Sequence, residues 1–294
     1  MEIRKAERKK AKLRLGIAAP SGAGKTYGAL QMAFGLGGKV GLIDTEHGSG
    51  DLYAHLGDYD IIGIEAPYTI NKYTQAIKAF EAAGYTTIII DSLSHAWAGD
   101  GGLLDKQGKM ADRGTNSFAA WRTITPEHNA LVDAMLASPC HIIATMRAKQ
   151  EYVLETNAKG KQEPKKVGMA PVQREGMEYE FTVMLDVDMH HVASASKDRT
   201  SLFDGQYMKI TPDTGKMLLA WLETGIEPPK FIEDELTRLV GAIIDASTLD
   251  AVKAAFATAY TYGKTFSNVD AITAATNVYN GRKAELTTPT EEAA

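Results

Sequence analysis

Short apolar runs alternate with helix-forming stretches through the first half of the chain. Residues 13–18 (LRLGIA), 40–44 (VGLID), 86–91 (TTIIID) and 141–145 (HIIAT) are brief, rich in Ile, Leu and Val, and flanked by turn residues, which predicts buried strands. Between them, residues 25–36, 70–83 and 119–137 predict helices. Strands separated by helices at this spacing predict an α/β fold, a mostly parallel sheet with helices on both faces. Residues 182–188 and 191–196 read as two consecutive strands, the antiparallel extension of such a sheet.

Two stretches break the pattern. Residues 98–118 are rich in Gly and charge, and residues 150–173 carry almost no periodic apolar signal. Both are expected as long loops, which in a compact domain are functional or disordered. Pro228-Pro229 marks a boundary. Beyond it Ile232, Leu236, Leu239, Val240, Ile243 and Ile244 recur at helical spacing, a second helix follows Ser247, and a third runs near 269–279. The expected organisation is a basic arm at 1–14, a core at 15–228, a small helical domain at 231–286 and a disordered acidic tail at 287–294.

Composition narrows the classes. The 294 residues are 44% hydrophobic and 23% charged, which excludes a disordered or collagenous chain. No run approaches the roughly 18 apolar residues of a membrane helix, and the charged N-terminus lacks the apolar stretch of a secretory signal. The single cysteine, Cys140, cannot form an internal disulfide and fits a reducing cytoplasm. A net charge of −5 argues against a globally basic nucleic-acid protein, so any such binding must come from local patches. The first 14 residues are one patch, with seven Lys or Arg against two Glu. It reads as a solvated arm or as a contact to DNA or a neighbouring subunit.

The chemistry concentrates at three points. Ala19-Pro20-Ser21-Gly22-Ala23-Gly24-Lys25-Thr26, continuing to Tyr27, fits the P-loop pattern with Ala for the first Gly. Small residues let backbone N–H groups curl around a phosphate, and the following helix aims its N-terminus at the anion. Lys25 is expected on the β- and γ-phosphates of ATP, and the Thr26 hydroxyl on Mg²⁺. Asp91 closes an apolar strand, where a Walker B carboxylate supports the metal through water. Glu46 follows the strand after the P-loop helix and is the candidate general base for the attacking water, with Asp44 and Asp51 as competing acids. The seven histidines show no metal-ligand spacing with cysteine.

The string Gly41-Leu-Ile-Asp-Thr-Glu-His47, followed by Ile-Ile-Ile-Asp91-Ser92, resembles the core of the RecA family. More closely, the chain is similar to RecA-like ATPases of tailed bacteriophages implicated in single-strand annealing and recombination. The narrow signals are NSFAAW at 116–121 and VGMAPVQREGMEY at 167–179, and the likeness covers about residues 10–222. The resemblance implies that the two long loops bind single-stranded DNA, through Lys106, Lys109 and Arg113 in the first and Lys159, Lys161, Lys165 and Lys166 in the second. It implies that Thr145 senses the γ-phosphate, with Arg147 and Lys149 at the root of the second loop, where they report the nucleotide or contact DNA. It also implies that Lys197 and Arg199 reach a neighbour's ATP site in a homo-oligomeric ring or filament. Aromatic platforms are scarce in the two loops, with Tyr152 the one evident, which argues against base stacking there.

These features predict an ATP- and Mg²⁺-dependent recombination ATPase that binds single-stranded DNA. Two alternatives stay open: a motor or loader for a replicative helicase, and a nucleotide-gated binding module whose C-terminal helices recruit a single-strand-binding protein.

Overall fold

Strand β1 (Arg14–Ala19) shows why the strands read as uninterrupted apolar runs. Leu15 and Ile17 pack on one side of the sheet and Ala18 on the other. Strands β2 (Val40–Asp44) and β4 (Thr87–Asp91) repeat this, Leu42 and Ile89 facing one layer and Ile43, Ile88 and Ile90 the other. Both faces are covered, so no polar alternation survives. The computed structural model describes residues 5–156, 162–227, 231–266 and 268–287.

Between these strands come α1 (Lys25–Leu36), a 3-10 turn (Ser49–Leu56), β3 (Asp60–Gly63) and α2 (Ile70–Ala82). After β4 the chain forms α3 (Leu93–Ala98), α4 (Leu103–Asp112) and α5 (Ser117–Ala137). Then follow β5 (His141–Thr156), β6 (Gln162–Pro171), β7 (Val183–Val187), β8 (Ala193–Asp198), β9 (Tyr207–Met208) and α6 (Pro212–Leu222). The sheet order is β3-β2-β4-β5-β1-β7-β8-β9, with β6 paired only to β5. Pairs from β3 to β7 are parallel, and β8 and β9 extend the sheet antiparallel. Helices α1 and α6 cover one face, while α2, α3, α4 and α5 cover the other. This is the mixed α/β core the pattern predicts. Among the described residues no helix is long and apolar enough to cross a membrane.

Both expected loops are regular structure instead. The first is largely α4, where buried Leu103 and partly buried Met110 lie seven residues apart on one face. Glycines hid it: Gly101 (φ 72°) makes the turn into the helix and Gly114 (φ 86°) the turn out of it. The second is a two-stranded ribbon, residues 148–156 of β5 against β6, with a register shift at Glu151/Tyr152. This ribbon lies off the path of the main sheet, outside the strand–helix alternation that marks the core. The strand expected from His191 begins at Ala193, because Asp188 Oδ1 accepts from the N–H groups of His190 (2.8 Å) and Val192 (2.9 Å) and holds a turn there.

Arg14, counted with the basic arm, belongs to the core at 8% exposure. Its guanidinium donates to the carbonyls of Cys140 (2.7 Å), Leu136 (2.9 Å) and Ser138 (2.5 Å), capping the C-terminal end of α5. Burial brings its pKa down to about 10, so it stays charged at neutral pH. Beside it His141 accepts from the Leu13 N–H through Nδ1 at 3.0 Å. Burial, then Lys12 and Arg14, push its pKa down to about 4.

The unfolded His141 therefore takes a proton near pH 6.5 that the folded one refuses until about pH 4. Stability present above pH 6.5 is lost as pH falls to 4, by on the order of 3 kcal/mol. Urea midpoints measured across that range should fall steeply for the parent chain and less steeply for His141→Asn. Parallel slopes would assign the acid loss to other groups.

The chain divides into two compact units, Met1–Ile226 and Glu227–Ala294. The second holds α7 (Glu233–Asp245), α8 (Leu249–Thr265) and α9 (Val269–Thr287) around Leu239, Ile243, Val252, Ala259 and Ala275. Thr248 caps α8, its hydroxyl accepting from the Ala251 N–H at 3.3 Å. Pro228, Pro229 and the tail at 288–294 lie outside the described residues, and Thr287 still belongs to α9.

Candidate functional site

The carboxyl ends of the parallel strands meet at one edge, where β1 passes through Pro20, Ser21, Gly22, Ala23 and Gly24 into α1. Gly22 and Gly24 have φ of 81° and 88°. A side chain there costs about 1 kcal/mol or more, so the turn itself demands both glycines. The loop closes through Ala23 N–H to the Pro20 carbonyl at 3.3 Å. Lys25 and Thr26 open α1, whose first-turn N–H groups have no partner within the helix. That is an anion cradle with a lysine at its mouth.

Asp91 ends β4 directly across from it. Its Oδ2 accepts from Thr26 Oγ1 and its Oδ1 from Thr145 Oγ1, each at 2.5 Å. Asp91 is 1% exposed and has no ion pair among the described residues. Burial raises its pKa, opposed by the two hydroxyls and by Lys25. A buried carboxylate lacking a cation, facing a hydroxyl, fits the hard oxygen donors Mg²⁺ prefers. Thr145 is bonded to this carboxylate, one strand away from the P-loop's own.

The three acids after β2 divide their roles. Asp44 is buried and accepts from the N–H groups of Glu46 (2.6 Å) and Gly50 (3.1 Å), fixing the turn. Asp51 is exposed in the 3-10 turn. Glu46 is left free of that turn and is gripped from another side. Arg147 donates to it twice, Nε to Oε1 at 3.0 Å and Nη2 to Oε2 at 2.5 Å. Burial favours the neutral acid, but the Arg147 bonds and charge, with His95 and Lys25, hold its pKa below the ordinary carboxylate value. Arg147 sits two residues beyond Thr145, where β5 leaves the sheet to become the ribbon.

Several participants carried no sequence signal. His95 Nδ1 lies 2.7 Å from Thr45 Oγ1, and its ring stacks on Tyr68 at 4.8 Å. A cavity of about 550 Å³ opens beside the P-loop, lined also by Tyr53, His191, Lys209 and Thr211. His191 Nδ1 is 3.0 Å from the Ala23 carbonyl, and Tyr27 meets Tyr53 edge to face at 6.3 Å. None of these four lies in a motif; the sheet topology collects them. A larger cavity of about 820 Å³, lined by Lys39, Asp58 and Tyr59, starts at the other end of β2 and holds none of this chemistry.

The cations expected on DNA are scattered. Lys106 pairs with Glu127 at 2.5 Å and Lys109 with Asp105 at 2.6 Å. Arg113 and Lys149 are exposed. Lys165 and Lys166 lie on β6 opposite Val153 and Tyr152, while Lys159 and Lys161 lie outside the described residues. Lys197 donates to the Glu178 and Tyr179 carbonyls (3.0 and 2.5 Å), and Arg199 to that of Tyr179 (3.1 Å). Because β8 runs antiparallel to β7, with Asp198 paired to Val183, these two cations stand at the sheet edge opposite the P-loop.

A family model described as an AAA domain matches residues 11–215. No curated protein matches the chain.

Proposed function

The chain belongs to the AAA domain family of P-loop ATPases, and from that premise we propose that it hydrolyses ATP under the control of a bound single DNA strand, as an oligomer serving recombination or annealing. The nucleotide's phosphates lie on Pro20–Thr26, with its nucleoside against Tyr27 and Tyr53. Thr26 and Asp91 would hold Mg²⁺, which when bound neutralises part of the triphosphate charge. Glu46 orients a water and takes its proton as the water oxygen bonds to the γ-phosphorus. The bond from that phosphorus to the β–γ bridging oxygen breaks, and its electron pair leaves with the diphosphate. Lys197 and Arg199, at the sheet edge opposite their own P-loop, would serve the site of a neighbouring copy.

The observation that carries strand control is the Arg147–Glu46 pair. A carboxylate held below its ordinary pKa by a bidentate arginine is a weak base. Arg147 begins the ribbon, and Lys149 follows on the same face two residues on. A strand whose phosphates draw Arg147 outward frees Glu46. Binding and basicity are thereby linked through one side chain.

Single-stranded DNA is therefore expected to raise ATP turnover several-fold, with affinity falling steeply as salt increases. Arg147→Ala should hydrolyse faster than the parent without DNA and respond little when DNA is added. Turnover indifferent to DNA, with a flat salt response, would refute the reading.

A further inference from the structure

Among the described residues, the most exposed large apolar side chain is Phe118, at 89%. It is the second residue of α5, and Asn116 Oδ1 accepts from its N–H at 2.9 Å, so a capped helix end fixes its backbone. Its immediate neighbours Asn116, Ser117 and Ala119 are exposed and small or polar. Arg113 precedes it across the turn and Arg122 follows one helical turn later; both are exposed, with no acidic partner among the described residues.

The ring's place in the fold matters as much as its exposure. Helix α5 enters β5 at the strand's N-terminal end, so its own N-terminus lies toward the carboxyl edge where the nucleotide site and ribbon emerge. Its 21 residues span about 31 Å. Trp121, on the same helix face as Phe118, stacks on Trp97 at 5.6 Å and has the Arg174 guanidinium 6.0 Å from its ring. Arg174 follows β6, and neighbouring Gln173 donates to the Leu93 carbonyl at 3.2 Å. Phe118 thus stands one turn from the foot of the ribbon.

We propose that Phe118 is a stacking platform for one base of the unpaired strand, with Arg113 and Arg122 on the flanking phosphates. The inference rests on the strand-binding reading above and adds the residue that reads a base face. A lone ring set among two unpaired cations and polar groups suits a π-face flanked by phosphates. A protein partner would want a wider apolar patch.

The test uses the full chain with a non-hydrolysable ATP analogue, and two oligonucleotides of equal length, one oligo-dT and one abasic throughout. The parent is expected to prefer oligo-dT. Phe118→Ala should weaken oligo-dT binding roughly 5- to 100-fold, the scale of one base–aromatic stack, and leave the abasic affinity unchanged. Phe118→Trp should restore the preference. Because the ring touches solvent, neither change threatens the fold. Equal affinities of parent and Phe118→Ala for oligo-dT would overturn the platform while leaving strand binding intact. A shift in sedimentation with no change in strand affinity would overturn it too, by making Phe118 a contact between copies. Failure of the parent to bind either strand would remove the strand-binding reading itself.

Discussion

The Glu46→Gln chain is expected to hydrolyse ATP about 100- to 10,000-fold more slowly than the parent while binding nucleotide with similar affinity. The amide keeps the shape of the carboxylate and one acceptor for the water, but it cannot take a proton. The phosphate cradle on α1 and the Asp44 bonds that fix the Glu46 turn do not involve the altered atoms. The substitution also weakens the bidentate pair, since one oxygen facing Arg147 becomes an NH₂ group. Arg147→Ala separates the two effects. It releases the same pair but leaves the base, so its basal turnover should exceed the parent's. Single-turnover hydrolysis and equilibrium nucleotide binding, measured on both variants, decide the matter. If Glu46→Gln turns over within a few-fold of the parent, Glu46 is not the base and another group must accept the proton.

The phosphate site was legible because its chemistry is local. A glycine-rich turn, a lysine and a threonine must be adjacent to work, so one contiguous string announces them. The placement of Asp91 and Glu46 was legible because one ends and the other closely follows an apolar strand whose parallel neighbours share one edge. What stayed hidden is assembled from distant parts. The Arg147–Glu46 pair joins residues 101 apart in the chain, and Tyr53, His191, Lys209 and Thr211 come to one cavity from three segments. Helix α4 was hidden for another reason. Its charged residues and flanking glycines look like a loop until Lys106 meets Glu127 on the neighbouring helix. The ribbon was unreadable because its two strands pair with each other off the path of the main sheet, outside the alternation of strand and helix that marks the core. Arg14 misled in the opposite direction. A cation in a basic arm looks solvated, yet the open carbonyls at the end of α5 draw it inside.

Asp91→Asn should lower turnover by at least about 100-fold and, unlike the Glu46 change, should blunt the gain in nucleotide affinity that Mg²⁺ confers over EDTA. The amide fits the same space. One oxygen still accepts from one threonine, and the other hydroxyl can rotate to accept from the new NH₂. What disappears is the charge, and without metal that charge is a burden. It is buried and its pKa is raised for that reason, opposed first by the Thr145 and Thr26 hydroxyls and then by Lys25. The nucleotide-free variant should therefore melt no lower than the parent. The sign with pH follows from the raised pKa. At pH below the ordinary value of 3.8 the Asp91 carboxyl is neutral folded and unfolded; the parent loses stability as pH rises from there to the raised folded pKa and no more above it, so the variant's advantage should grow across that interval and then level off. Adding Mg²⁺ and ATP should reverse the order, because the parent gains stability in proportion to its tighter binding. Melting curves of both chains, with and without Mg²⁺-nucleotide and across pH, read all of this. A variant that melts well below the parent when empty, or gains as much from Mg²⁺, would mean that Asp91 serves the fold through Thr26 and Thr145 rather than the metal.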